Sequence, residues 1–201
     1  MRRIMKENKG YSLVEMIIVI AIISVMSAAA MVTITLINSA KAKEASVTLN
    51  SEISALVARA KSQIPTFDDG SGTVEQHRDY NFAIAVYKTG DRFYIAKGYY
   101  KEEGGKKFFY TFDADNANSG KGQSLSTKVS VTYVPGSKNS GAFEAADTFG
   151  LTADAGKKWV IAYDQNGRCI CGVGIFETNK ASDNSTIDEI SINANGSHIS
   201  K

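Results

Sequence analysis

No glycine and no proline interrupt the sequence between Tyr11 and Ile64, although the chain of 201 residues holds 17 glycines and 2 prolines. Both residue types weaken or break helices, so their absence permits one continuous helix there, and their return from Pro65 onward marks loops and strands. Cysteine is almost missing, with Cys169 and Cys171 alone, which excludes a disulfide-dense scaffold. The two histidines, His77 and His198, are far apart in the sequence and read as solvated surface residues in loops. No H-E-x-x-H, G-x-S-x-G or phosphate-binding loop occurs, so neither catalysis nor a cofactor or metal is expected. A formal net charge of +2 gives no general basic surface for nucleic acid.

What charge there is sits at the start. Arg2, Arg3, Lys6 and Lys9 against Glu7 give the first ten residues a charge of about +3 by the same count, leaving the remainder slightly acidic. After Lys9-Gly10 come Tyr11-Ser12-Leu13-Val14-Glu15 and an apolar run to Ile37 whose single ionisable group is Glu15. A carboxylate in hydrocarbon costs about 2.5 kcal/mol or more, so one retained at the head of a membrane-length segment points to a function and a partner, the nearest candidate being an amine. The basic residues favour retention of the N-terminal side in the cytoplasm.

This combination resembles the class III leader of type IV prepilins and pseudopilins. The matching residues are Gly10, Tyr11 and Glu15. The resemblance implies cleavage after Gly10 by a prepilin peptidase, N-methylation of Tyr11, and pairing of Glu15 with the new N-terminus of an adjacent subunit as helices bundle into a filament core. Family members usually begin with Phe where Tyr11 stands, and the helix-kinking proline that many carry is replaced by Val32. Two other readings use the same residues. An ordinary secretory signal would be cut at Ala28-Ala29-Ala30 to leave Met31 first, but an acid near the start of its apolar core and the continuing run through Ile37 oppose it. A plain single-span anchor is long enough but leaves Glu15 without a purpose. An ordinary local role for Glu15 also stands: an acid in the first helical turn is favourable against the macrodipole.

The expected organisation is a cleaved leader over 1–10, a helix over 11–64 and a β-rich head over 65–201. Within the helix, 11–37 would lie in the membrane or filament core and 38–64 would pack on the head, through Leu49, Ile53, Leu56, Val57, Ala60 and Ile64 at spacings of three and four. Pro65 would end it. Small residues at Ser24, Ser27, Ala28, Ala29 and Ala30 permit close helix approach.

Beyond Tyr80 the apolar period becomes two. Strands are expected at Tyr80–Val86 and Phe93–Ile95 across a Thr89-Gly90-Asp91 turn, at Phe108–Phe112 with Phe108, Tyr110 and Phe112 inward, at Val129–Tyr133 and at Trp159–Tyr163. Asn166-Gly167 suits a type I′ turn, followed by a strand from Cys169 to Phe176 and a last segment bearing Ile187, Ile190 and Ile192. A long helix packed on an antiparallel sheet is an α+β arrangement, which is also the pilin fold.

Three weaker signals remain. Cys169 and Cys171 would share a strand face as small buried residues, where a local disulfide is geometrically awkward. Asp113 to Asn118 resembles a calcium loop, but Ala117 occupies a place that needs an oxygen ligand. Tyr99-Tyr100 and Phe108-Phe109-Tyr110 with Lys101, Lys106 and Lys107 would suit single-stranded nucleic acid, although alternating aromatics are more often core.

The reading is a structural subunit, processed, methylated and polymerised with copies of itself by a pilus assembly platform, passing from the cytoplasmic membrane to a surface filament. A minor pilin or pseudopilin of a secretion or DNA-uptake system is the alternative within the family. A membrane-tethered extracellular binding module that never polymerises is the alternative outside it.

Overall fold

The computed structural model describes residues 11–68, 72–112 and 122–201. Helix α1 runs unbroken over Leu13–Ser62, within the expected 11–64. Its start moves inward because Ser12 caps it, and its last turn closes with Gln63 N–H on Arg59 O at 3.0 Å, after which Ile64, restricted by Pro65, leaves helical geometry. The chain divides into two compact units, Met1–Ile37 and Asn38–Lys201. In the first, residues 11–37 are exposed on every side.

Among the described residues the second unit carries thirteen strands: β1 (Thr66–Asp68), β2 (Val74–Gln76), β3 (Asn81–Thr89), β4 (Arg92–Glu103), β5 (Lys106–Thr111), β6 (Gln123–Ser124), β7 (Val129–Pro135), β8 (Thr148–Phe149), β9 (Lys158–Tyr163), β10 (Cys169–Cys171), β11 (Gly174–Lys180), β12 (Thr186–Ile192) and β13 (His198–Ser200). They form a β1–β2 ribbon, a seven-stranded sheet ordered β10-β9-β3-β4-β5-β8 with β6 on β4, and a four-stranded sheet ordered β13-β12-β11-β7. The pairings are antiparallel except β5 with β8. The architecture is α+β and pilin-like, with several sheets where a single antiparallel one was expected.

Helix residues 42–60 supply one wall of the main core. Ala42, Ala45, Leu49, Ile53, Leu56 and Ala60 are buried, and Val57 packs at their edge. The stripe starts about two turns earlier than the large apolar residues suggest, because Ala42, Ala45 and Ser46 allow close approach. Phe82, Ile84 and Val86 of β3, Trp159, Ile161 and Tyr163 of β9, and Phe176, Ile190 and Ile192 of the four-stranded sheet complete this core. The opposite face of β3, with Ala83, Ala85 and Tyr87, belongs to a second core closed by Phe143 and Phe149. A strand covered on both faces shows no polar alternation, as in Asn81–Thr89.

That second cover reverses one expected phase. In β5 the buried ring is Phe109, set opposite Tyr100, while Phe108 is half-buried and Tyr110 exposed. Tyr80 precedes β3 rather than opening it. The Thr89–Arg92 hairpin forms as expected, with Gly90 at φ 65 in the first central position of a type II′ pattern. Asn166-Gly167 does not make a type I′ turn: only Gly167 has positive φ, at 77, and its N–H bonds Asp164 O at 2.9 Å, a longer loop of the type I plus left-handed glycine kind.

The expected strand from Cys169 to Phe176 is two strands in two sheets, split at Gly172 and Gly174, whose φ values are 97 and 151. A register shift between Cys169 and Cys171 then places them on opposite faces, Cys169 in the main core and Cys171 in the second. Spacing of two means one face only in a regular strand. Likewise the inward residues of β12 are Asp188, Ile190 and Ile192, with Ile187 on the other side, and His198 lies in a strand rather than a loop.

Asp188 ties the first buried turns of the helix to this last sheet. Its side chain is fully buried; Oδ2 accepts from Lys43 Nζ at 2.8 Å, from Ser46 Oγ and from Ser200 Oγ at 3.2 Å. Burial pushes the carboxyl upward, but the hydrogen bonds from Lys43, Ser46 and Ser200 with the Lys43 charge outweigh it and hold the group below its ordinary 3.8. A depressed folded pKa contributes stability that is complete above the unfolded value and is lost as pH falls through the folded one. Asp188→Asn is therefore expected to cost about 2 kcal/mol at pH 7, a deficit that shrinks below about pH 4. Denaturant unfolding of the full chain across pH measures this; a difference constant from pH 7 to 3 contradicts it.

Candidate functional site

The site is the start of α1. Ser12 is the N-cap: its Oγ accepts from Val14 N–H at 3.3 Å and its carbonyl from Met16 N–H at 3.2 Å. Glu15, at the third helical position, reaches back so that Oε2 accepts from Ser12 N–H at 2.8 Å. Ser12 and Glu15 thus cap the helix reciprocally, a variant of the capping box in which the Ser12 hydroxyl takes the second rather than the third helical N–H. Its S-x-x-E spacing was legible in the sequence and is the signal that a search for an amine partner passes over. Two of the helix's orphan donors are satisfied without water, which matters where the surroundings are apolar.

Everything after Glu15 in this unit suits a medium without water. Leu13, Val14, Ile17, Ile18, Ile20, Ile22 and Ile23 are all more than half exposed, as are Val25, Met26, Met31, Val32, Ile34, Leu36 and Ile37. The helix is long and apolar enough to cross a membrane; residues 13–37 alone rise roughly 37 Å against a hydrocarbon core of about 30 Å. Three hydroxyls inside it are satisfied locally, Ser24 on Ile20 O at 2.8 Å, Thr33 on Ala29 O at 3.0 Å and Thr35 on Met31 O at 3.2 Å. Tyr11, beside the cap, is 82% exposed. Gly10 and the leader over 1–10 lie outside the described residues, as does the calcium-like loop from Asp113.

One long N-terminal helix followed by β-sheets is a pilin-like arrangement. Residues 5–31 match the family model for the prokaryotic N-terminal methylation motif, the class III leader of type IV prepilins and pseudopilins. The match spans Gly10, Tyr11, Ser12 and Glu15 and supports a type IV pilin or pseudopilin-type precursor anchored in a membrane. No curated protein and no solved structure matches the chain.

The other sequence candidates are dispersed. Both cysteines are free and buried; burial pushes each thiol up to about 12. His77 stacks on Phe67 at 4.1 Å, with Nε2 3.1 Å from Phe67 O, and His198 Nε2 lies 3.1 Å from Ser54 Oγ, so both rings are engaged rather than simply solvated. Among the described residues no group of three His, Cys, Asp or Glu is placed to hold a metal. The aromatic and basic segment is also broken up. Tyr100 and Phe109 are core, and Lys107 Nζ donates to Ser140 O at 2.7 Å and Ala142 O at 3.1 Å.

Two outcomes follow from these geometries. Ser12→Ala removes the cap and is expected to destabilise the first turn by about 1 kcal/mol, seen as roughly fivefold faster amide exchange at Val14 in micelles; unchanged exchange would show that the cap contributes nothing there. Cys169 and Cys171 should resist alkylation at pH 8 in the folded protein and react fully in denaturant, and rapid labelling of the native chain would contradict their burial.

Proposed function

We propose that this chain is a type IV pilin-like structural subunit without catalytic activity, cut after Gly10 by a prepilin peptidase, N-methylated at Tyr11 and polymerised into a surface filament. The observation that carries this reading is a carboxylate held at the third helical position of an otherwise uncharged apolar segment, inside the matched motif. Cleavage would create an ammonium on Tyr11, one residue before the N–H that Glu15 now accepts. Consecutive Cα atoms are about 3.8 Å apart, so Glu15 has the new charge within reach in its own chain. An ammonium and a carboxylate that both sit in hydrocarbon are each costly alone, and pairing between neighbouring subunits removes both costs at one axial offset.

The exposure of residues 13–37 supports the same reading. Lipid before assembly and neighbouring helices after it are both apolar, so a segment apolar all round can exchange one for the other with little cost. The assembly platform would act at the membrane, and the β-rich unit would face outward by the leader's positive charge.

The test is the N-terminal mass of the protein recovered from the host's surface fraction, together with filament yield for Glu15→Leu. A start at N-methylated Tyr11, and membrane insertion without filaments in Glu15→Leu, are expected. A start near Met31, or filaments at normal yield from the variant, would sink the proposal.

A further inference from the structure

Part of the aromatic segment is left at the surface once the core has taken Tyr100 and Phe109. Phe108 and Tyr110 of β5 lie with ring planes parallel to within 9° and centroids 6.4 Å apart. Tyr80 stands 6.2 Å from Tyr110 and is backed edge-on by Phe67 at 5.1 Å. Tyr110 is 39% exposed, and Phe108 and Tyr80 are partly so. Beside the rings, Lys101 Nζ sits 5.2 Å from the Tyr80 centroid and pairs with Asp79 Oδ2 at 2.9 Å and Glu103 Oε2 at 3.2 Å. The two carboxylates are mostly exposed.

Charge decides what such a surface can take. Lys101 is engaged by two carboxylates, and Lys106, on the strand face of Phe108 and Tyr110, stands cross-strand from Glu103, so the charges beside the rings balance and a polyanion gains no net attraction there. A free cation finds its place over Tyr80 filled by Lys101. A neutral polyhydroxylated ring needs no net charge and would stack on Phe108 and Tyr110 rather than on Tyr80, over which Lys101 lies. Its C–H face lies on the negative face of an aromatic ring, while its hydroxyls donate to Asp79 and Glu103 and accept from Lys101, charged partners that make the stronger hydrogen bonds.

We propose that Phe108, Tyr110 and Tyr80, rimmed by Asp79, Lys101 and Glu103, form a binding shelf for neutral saccharides. The shelf does not rest on the prepilin reading, since an unprocessed chain carries it unchanged. The experiment is saturation-transfer NMR and titration of the full-length protein in zwitterionic micelles. The probes are neutral oligosaccharides of glucose, galactose, mannose and N-acetylhexosamines, with a thymidine oligonucleotide as the anionic comparator. Saturable binding of at least one neutral saccharide is expected, weakened about tenfold by Phe108→Ala or Tyr110→Ala and retained in Tyr110→Trp. Glu103→Ala touches no ring and is expected to weaken binding about threefold with near-ultraviolet circular dichroism unchanged. Absence of binding by every neutral probe, binding that survives both ring truncations together, or tighter binding of the oligonucleotide would overturn the proposal.

Discussion

One uninterrupted backbone has to be stable in two solvents, and the rest of the molecule is arranged around that constraint. Over Leu13–Ser62 each helical peptide group except those at the ends is bonded within the segment, so the helix does not depend on water at any point along it. Its ends are where the constraint bites. At Ser12 two of the orphan donors are met by Ser12 and Glu15 themselves; at Ser62 the polypeptide turns into loops that water reaches. A proline in the apolar part would remove one donor from that ladder.

The side chains divide the same helix by what they meet. From Leu13 to Ile37 bulky apolar groups point outward in all directions; from Ala42 to Ala60 a narrow line of alanines, serine and large aliphatics is buried while Lys41, Glu44 and Lys61 remain outside. Small residues at the start of that line bring Ser46 and Lys43 close enough to Asp188 for hydrogen bonds. The polar tie costs desolvation, offset by three donors on one oxygen.

The long helix, its end at Pro65, the β3–β4 hairpin and the inward faces of β3, β7 and β9 could be read from the sequence because each depends on local chemistry or on a period set by the backbone. The failures share one cause, namely that the covering of a strand is decided elsewhere in the chain. Phe109 replaces Phe108 in the core because Phe143 and Phe149 close the far face of the sheet. Cys169 and Cys171 part company because a register shift intervenes, and no count of residues reveals a bulge. Asp188 carries no signal of its own in the sequence, because its burial depends on the helix it faces. At the start of the helix the structure adds a partner of Glu15 that the apolar pattern does not point to, the N–H of Ser12 three residues back.

The tie between Lys43 and Asp188 spans 145 residues, and it has a consequence in time. The strands that cover the helix from Ala42 to Ala60 include β9, β11 and β12, which are synthesised late. Contacts of such sequence separation form late, since the loop they close has to be ordered first. Until they do, the aliphatic line of the helix is bare and sticky. An anchor that holds each nascent chain at the membrane, apart from its siblings, gives the late strands the interval they need to arrive before aggregation does.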